Sequence, residues 1–239
     1  MNLRFFGDER DAFKFSLLEK LCKGLGIGLT YVPMLTQDDP EKRNEGKKEA
    51  PKDDERFDPD LIEMLEKCKK IKLAALPDNK KLPDECVVEK SSEIIGLISS
   101  YFSKKHINFK CTPEDNRLLL KENRLDYFNK INIEDKAQLI FFDPDTGLSK
   151  TGHEKHLCFC ELKDFFDNLN ENAIIVIYQH RGRLERWDTV PEKKINYLPK
   201  NTFAFIKLDG DVGCFIFVKK SAKFNEIKDK TAYDLQIYN

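Results

Sequence analysis

An apolar run, Leu139-Ile140-Phe141-Phe142, collides with Asp143-Pro144-Asp145-Thr146-Gly147. No other feature restricts the fold as strongly. The run reads as a buried strand, and two carboxylates, a proline and a glycine cannot continue it. The strand therefore delivers its acids to its own C-terminal edge. In open α/β sheets that edge is where ligands bind.

The rest of the chain alternates helix and strand patterns. Asp11 to Lys23 carries Phe13, Leu17, Leu18, Leu21 and Cys22 at helical spacing and ends at Gly24 and Gly26. Leu29 to Leu35 reads as a strand, Pro59 to Cys68 as a short helix and Lys70 to Leu76 as a strand. Pro83 to Lys105 is a longer helix, Lys110 to Pro113 a short strand and Asn116 to Ile131 a helix. Leu162 to Leu169 is helical, and Ala173 to Tyr178 is an apolar strand ending in Gln179-His180-Arg181. Phe203 to Leu208 and Cys214 to Lys219 flank Asp209-Gly210-Asp211-Val212-Gly213, a hairpin signal. The tail from Phe224 to Tyr238 suits a closing helix or strand. Thr36 to Arg56 is charged and poor in large apolar residues, which predicts a mobile loop and a candidate lid. The alternation predicts an α/β fold: a Rossmann-like, mostly parallel sheet with helices on both faces and a C-terminal antiparallel hairpin. With no internal repeat and no strong boundary, residues 1–239 are read as one domain.

Bulk charge gives no argument for nucleic acid, because 41 Lys and Arg meet 42 Asp and Glu. Local basic patches retain that capacity. No apolar stretch has the length of a membrane span, and the N-terminus does not read as a signal peptide, so the expected location is the cytoplasm. Seven cysteines, an odd number, then read as reduced thiols. The sequence leaves the oligomeric state open.

The acids at Asp143 and Asp145 suit a divalent metal held through hard oxygens, a base amino group held by hydrogen bonds, or a structural turn. Pro144-Asp145 followed by Glu161-Leu162-Lys163 resembles the Pro-Asp…Glu-x-Lys pattern of a large nuclease superfamily. There two carboxylates bind a metal and the lysine orients the attacking water. Glu161 at the start of a helix is also what the helix dipole favours. His153, His156, Cys158 and Cys160 have the softness zinc prefers, but the spacing fits better a strand over Leu157 to Phe159, and no metal ligand is assigned there. Beside the acidic turn, His180 is a candidate catalytic base, and Gln179, Arg181 and Arg183 are candidate substrate contacts, with Gly147 shaping the pocket. Arg186 and Trp187 extend that set toward phosphate contact and base stacking.

The other dense motif is Phe6-Gly7-Asp8-Glu9-Arg10-Asp11-Ala12-Phe13-Lys14. Gly7 permits an unusual backbone conformation, and Asp8 or Asp11 can cap the helix. Lys14 falls in the first helical turn, where the dipole disfavours a cation, so an anion or carboxylate partner is expected. The Gly-x-x-x-Asp-x-x-Lys arrangement of Gly7, Asp11 and Lys14, followed by an apolar helix and a strand, resembles the start of the bacterial 23S ribosomal RNA adenine-N6 methyltransferases. These are class I S-adenosylmethionine-dependent enzymes.

That resemblance implies that Asp11 and Lys14 lie beside the S-adenosylmethionine pocket. It also maps the family's Asp-Pro-Pro-Tyr motif onto Asp143-Pro144-Asp145-Thr146. The chain departs from the family at Asp145, at Thr146 and in the turn after the first strand, where Met34-Leu35-Thr36-Gln37 replaces a glycine-rich loop. The chain also resembles a group of uncharacterised bacterial and phage proteins that share its Phe-Gly-Asp, Asp-Pro-Asp and Tyr-Gln-His pieces. The leading expectation is thus a methyltransferase-like domain acting on nucleic acid, with Asp143, Asp145 and His180 as catalytic candidates. The alternatives are a metal-dependent nuclease using Asp143, Asp145, Glu161 and Lys163, and a non-catalytic nucleic-acid-binding protein on a decayed methyltransferase scaffold.

Overall fold

A computed structural model describes residues 2–3, 6–37, 54–75, 82–131, 138–151, 153–181, 186–187, 189–197, 202–210 and 212–238. Most of the expected mobile loop (residues 38–53) and Arg183 lie outside the described residues.

Asp8 starts the first helix, α1 (Glu9–Leu25), by accepting hydrogen bonds from the N–H groups of Arg10 (2.9 Å) and Asp11 (3.3 Å). Gly26 ends it in the left-handed conformation, its N–H bonded to the Cys22 carbonyl. Strand β1 (Gly28–Val32) follows, then α2 (Pro59–Ala75), α3 (Asp84–Lys104), β2 (Phe109–Cys111), α4 (Arg124–Asn129) and β3 (Gln138–Phe142). Beyond the acidic turn come β4 (Gly147–Ser149), β5 (His156–Cys158), α5 (Phe159–Asn168), β6 (Ile174–His180) and α6 (Thr189–Ile195). The hairpin β7 (Phe203–Asp209) and β8 (Val212–Val218), then α7 (Ala222–Thr231) and β9 (Gln236–Tyr238), close the chain.

Seven strands form one sheet in the order β2-β1-β3-β6-β8-β7-β9, and β4 with β5 forms a separate parallel ribbon. Pairings from β2 through β6 are parallel, and those from β6 through β9 are antiparallel. The sheet is therefore mixed, which corrects the expectation of a mostly parallel one. The expected antiparallel hairpin is present: it joins β6, the last of the parallel strands, through β8, and the tail adds a further antiparallel strand beside β7.

Strict alternation divides the core into two layers. Leu29, Tyr31, Leu139, Phe141, Ile174, Val176 and Tyr178 point to the face covered by α1, α2, α3 and α7. Val32, Ile140, Phe142, Ile175, Ile177, Phe203, Phe205, Phe215 and Phe217 point to the opposite face, with Tyr127 of α4, Leu162 and Phe166 of α5 and Val190 of α6. Helices thus flank both faces. None of the described helices is long and apolar enough to cross a membrane.

Two local expectations are corrected. Lys70 to Ala75 is not a strand but the end of α2. Its alternating Lys-Ile-Lys-Leu pattern mimics a strand, yet no turn former separates it from the helix before it, and extending a helix costs less than starting a new element. Residues 116–123 are not helical. Asn116 sits in the left-handed region (φ 43°), and the Asn123 side chain accepts from the Leu120 N–H and donates to the Leu118 carbonyl. Asparagine side chains compete in this way with the helical backbone pattern.

Candidate functional site

From β1 the chain crosses to β2 on one side of the sheet, while β3 and β6 lie on the other. The C-terminal ends of β1 and β3 therefore flank a topological switch point, where open α/β sheets form a ligand crevice. Asp143 is the first residue past β3, and its N–H extends the ladder to the Val32 carbonyl (3.0 Å).

Asp143 is 1% exposed. Its Oδ1 accepts from Lys14 Nζ (2.9 Å) and its Oδ2 from the Tyr31 hydroxyl (2.9 Å). Lys14 Nζ also lies 2.7 Å from Asp11 Oδ1 and 4.6 Å from the Tyr178 ring centroid. Asp11 Oδ2 in turn accepts from the Gly7 N–H (2.6 Å), with Gly7 at φ 89°, a conformation side chains rarely adopt. The two motifs singled out in the sequence, 129 residues apart, are thus joined by one buried ion pair.

Burial opposes the charge on Lys14, but Asp11 and then Asp143 outweigh it and hold its pKa well above the ordinary value. Burial, then Asp143, pushes the Tyr31 phenol far up, so it stays a donor. Burial also raises Tyr178 against the pull of Lys14. Asp8 is pushed up to about 6, by burial first and then by the charge of Asp11.

The outer half of the turn is held differently. Asp145 is half-buried and its Oδ2 accepts from the Thr36 hydroxyl (2.9 Å), which ties the turn to the segment after β1. Thr146 Oγ1 donates to the Lys155 carbonyl (2.9 Å) and lies 2.6 Å from His156 Nδ1. Burial, then His153, lowers the His156 pKa. Gln179 is 4% exposed. Its Nε2 donates to the Thr146 carbonyl (3.0 Å) and its Oε1 accepts from the Leu148 N–H (3.1 Å). Gly147, at φ 107°, leaves room for this clamp, since a Cβ there would stand 2.4 Å from Gln179 Oε1.

The sequence-predicted residues fall into three groups. Asp11, Lys14, Asp143, Asp145, Gly147 and Gln179 are gathered by these bonds around the ends of β1, β3 and β6. His180 joins them through its N–H to the Thr146 carbonyl (3.3 Å), with half-buried Arg181 next in the chain. Gln179 spends its amide on shaping the turn, which makes it a positioning residue. Glu161 and Lys163 are engaged elsewhere. Glu161 caps α5 by accepting from the Cys158 N–H (2.8 Å) and forms a two-pronged pair with Arg124, and Lys163 faces Asp167 (3.5 Å) on the surface of α5. Trp187 packs against Phe205 (5.3 Å between centroids) and donates to the Gly210 carbonyl (2.7 Å). Among the described residues no group of three or more His, Cys, Asp and Glu side chains could hold a metal ion.

Tyr31, Thr36 and Tyr178 were not singled out from the sequence. A tyrosine in a buried strand must find a partner for its hydroxyl, so Tyr31 carried a readable signal. Thr36 carried none.

The turn after β1 also bears on what the crevice accepts. Met34 adopts a left-handed conformation (φ 45°) where Rossmann loops place glycine, and its N–H takes the Tyr127 hydroxyl (3.1 Å). A phosphate-bearing dinucleotide needs free backbone N–H groups and close approach. This loop supplies neither at Met34. The charges here are mixed: Asp8, Asp11, Asp143 and Asp145 stand with Lys14 and Arg10, with Arg181 just past β6 and with Lys194, which donates to the Leu148 carbonyl. No protein-family model matches the chain, and no curated protein matches it.

Proposed function

We propose that the chain is a methyltransferase-like α/β protein that binds S-adenosylmethionine at the switch point between β1 and β3 and acts on nucleic acid. The observation that carries this reading is the Lys14–Asp143 pair, which closes the helical Asp-x-x-Lys motif onto the acid that ends the central strand. The sheet order supports it, with an antiparallel strand set between two that run alike.

S-adenosylmethionine, when bound, supplies an electrophilic methyl group. Lys14, Asp11 and Tyr31 hold Asp143 fixed behind the crevice. Asp145 presents a carboxylate at its mouth, positioned by Thr36. Gln179 and Gly147 set the shape of the turn, and His180 and Arg181 flank it on the substrate side. A base in a duplex would have to be flipped out, or be single-stranded, to reach this turn.

Calorimetric titration with S-adenosylmethionine and S-adenosylhomocysteine tests the reading. Saturable binding of both, weakened in Asp145→Asn, is expected; absence of binding at millimolar ligand would sink it. A second reading is a binding protein without turnover. It is favoured by the engagement of both Asp143 oxygens, which leaves that acid poorly placed to accept hydrogens from a base amine. Cofactor binding without methyl transfer to single-stranded or duplex DNA or RNA would select it.

A further inference from the structure

Cys158 is the last residue of β5 and the N-cap of α5, with extended backbone (φ −76°, ψ 146°), and Cys160 is the second residue of the helix. The switch from strand to helix turns two side chains spaced by two residues to the same side. Their sulfurs stand 2.7 Å apart, inside the contact distance of unbonded thiols, so the approach a disulfide needs is already largely made. Glu161, itself gripped by Arg124, fixes the Cys158 backbone through its N–H. The arrangement is thus built into the start of α5.

Burial pushes Cys22, Cys68 and Cys111 up to about 12 and Cys214 further still, which makes them poor nucleophiles. In the close pair the accessibilities are split: Cys158 is buried and Cys160 exposed. That split suits an attacking thiol and a resolving thiol.

We propose that Cys158 and Cys160 form a reversible dithiol–disulfide pair, oxidised by exchange with a low-molecular-weight disulfide. The Cys160 thiolate attacks one sulfur of the small disulfide, whose S–S bond breaks and whose first thiolate leaves and takes up a proton. The Cys158 thiolate then attacks Cys160 Sγ in the mixed disulfide and expels the second thiolate. The protein loses two electrons and two protons, and one small disulfide becomes two thiols. Burial and the neighbouring Cys158 raise the Cys160 thiol pKa, which slows the attack. A short-range, partly exposed disulfide belongs to the labile class. In the oxidised form Cys158 Sγ can no longer donate to the Lys150 carbonyl, 3.6 Å away, so the bond is expected to loosen the end of the β4–β5 ribbon. The proposal is independent of methyltransferase function.

The test uses the reduced full chain, equilibrated without oxygen against glutathione buffers of rising oxidised fraction, quenched with an alkylating agent and weighed intact. Two of the seven thiols should become protected together, map to the peptide holding 158–160, and return on adding dithiothreitol. Cys158→Ser should instead accumulate a glutathione adduct on Cys160, and Cys160→Ser should show no protected pair. Seven thiols alkylated throughout, a disulfide involving another cysteine, or a Cys158→Ser protein that gathers no adduct while keeping its circular dichroism would each overturn the proposal.

Discussion

Asp143 and Asp145 are separated by a single proline, yet they belong to different regions of the molecule. The inner region is sealed: Asp143, Lys14, Asp11 and Tyr31 are buried and joined by ion pairs and a hydrogen bond. The outer region is half-open: Asp145 is half-buried and accepts from Thr36, and the turn beyond it is clamped by Gln179. The same residue type thus serves as an anchor in one place and a presenting group in the other. What separates them is depth below the sheet edge and the helix packed against it.

The largest effect should come from the anchor. Lys14→Met leaves Asp11 and Asp143 as buried carboxylates without their cation, and breaking such a pair costs about 3–5 kcal/mol. Urea unfolding of the two proteins measures the loss. A difference under about 1 kcal/mol would break the comparison, because the inner network would then be no anchor.

Next comes a change of opposite sign. Asp8 lies in the inner region, with its carboxyl pushed up to about 6 from 3.8. A raised carboxyl pKa means that the folded state resists ionisation. Stability is therefore undiminished below about pH 4, falls as pH rises toward 6, and stays reduced above that. Asp8→Asn keeps an oxygen to cap α1 but cannot ionise. It should be more stable than the parent at pH 7, by up to about 3 kcal/mol, with the gap closing near pH 4. A variant weakened equally at every pH would show that the cap outweighs the charge.

Gly147 probes the outer region. Alanine there must hold φ near 107° and push its Cβ toward Gln179 Oε1. About 1–3 kcal/mol of destabilisation is expected. Adding Gln179→Ala should recover the part due to the clash but not the backbone strain, and a double-mutant cycle separates the two. Strict additivity would remove Gln179 from its role as the clamp.

The two regions also differ in how far the sequence revealed them. An apolar run stopped by acids marks the end of β3, and a lysine near the start of α1 advertises a missing anion, although the helix begins at Glu9 and so puts Lys14 in its second turn and not its first. Both signals are local, so both could be read. That the anion is Asp143 could not be, because the pairing spans 129 residues and depends on β3 pairing beside β1, the strand that follows α1. The clamp was half legible: Gln179 was placed near the turn, but as a substrate contact, since nothing local shows that its amide would be consumed by Thr146 and Leu148. The sheet was misjudged at its C-terminal end for a similar reason. The hairpin turn was readable, whereas the insertion of β8 between β6 and β7 is set by long-range pairing. Glu161 is the converse case. Its position at a helix start outweighed a nuclease-like spacing, and it does cap α5.

The smallest effect on stability should come from Asp145, and it sharpens the comparison most. Asp145→Asn keeps the shape and an acceptor for Thr36 while removing a half-exposed charge, so less than about 1 kcal/mol is expected. If the outer acid presents its charge to a cationic ligand, the same substitution should weaken S-adenosylmethionine binding about tenfold or more, the scale of one charge-assisted hydrogen bond. Thr36→Val should follow in the same direction with a smaller loss, because it removes one hydrogen bond to the carboxylate and keeps the charge. An inner acid that governs folding and an outer acid that governs binding predict that these two columns of data do not correlate. If instead stability and affinity fall together at Asp145, the turn is one structural unit, and the ligand-facing role assigned to its outer half fails.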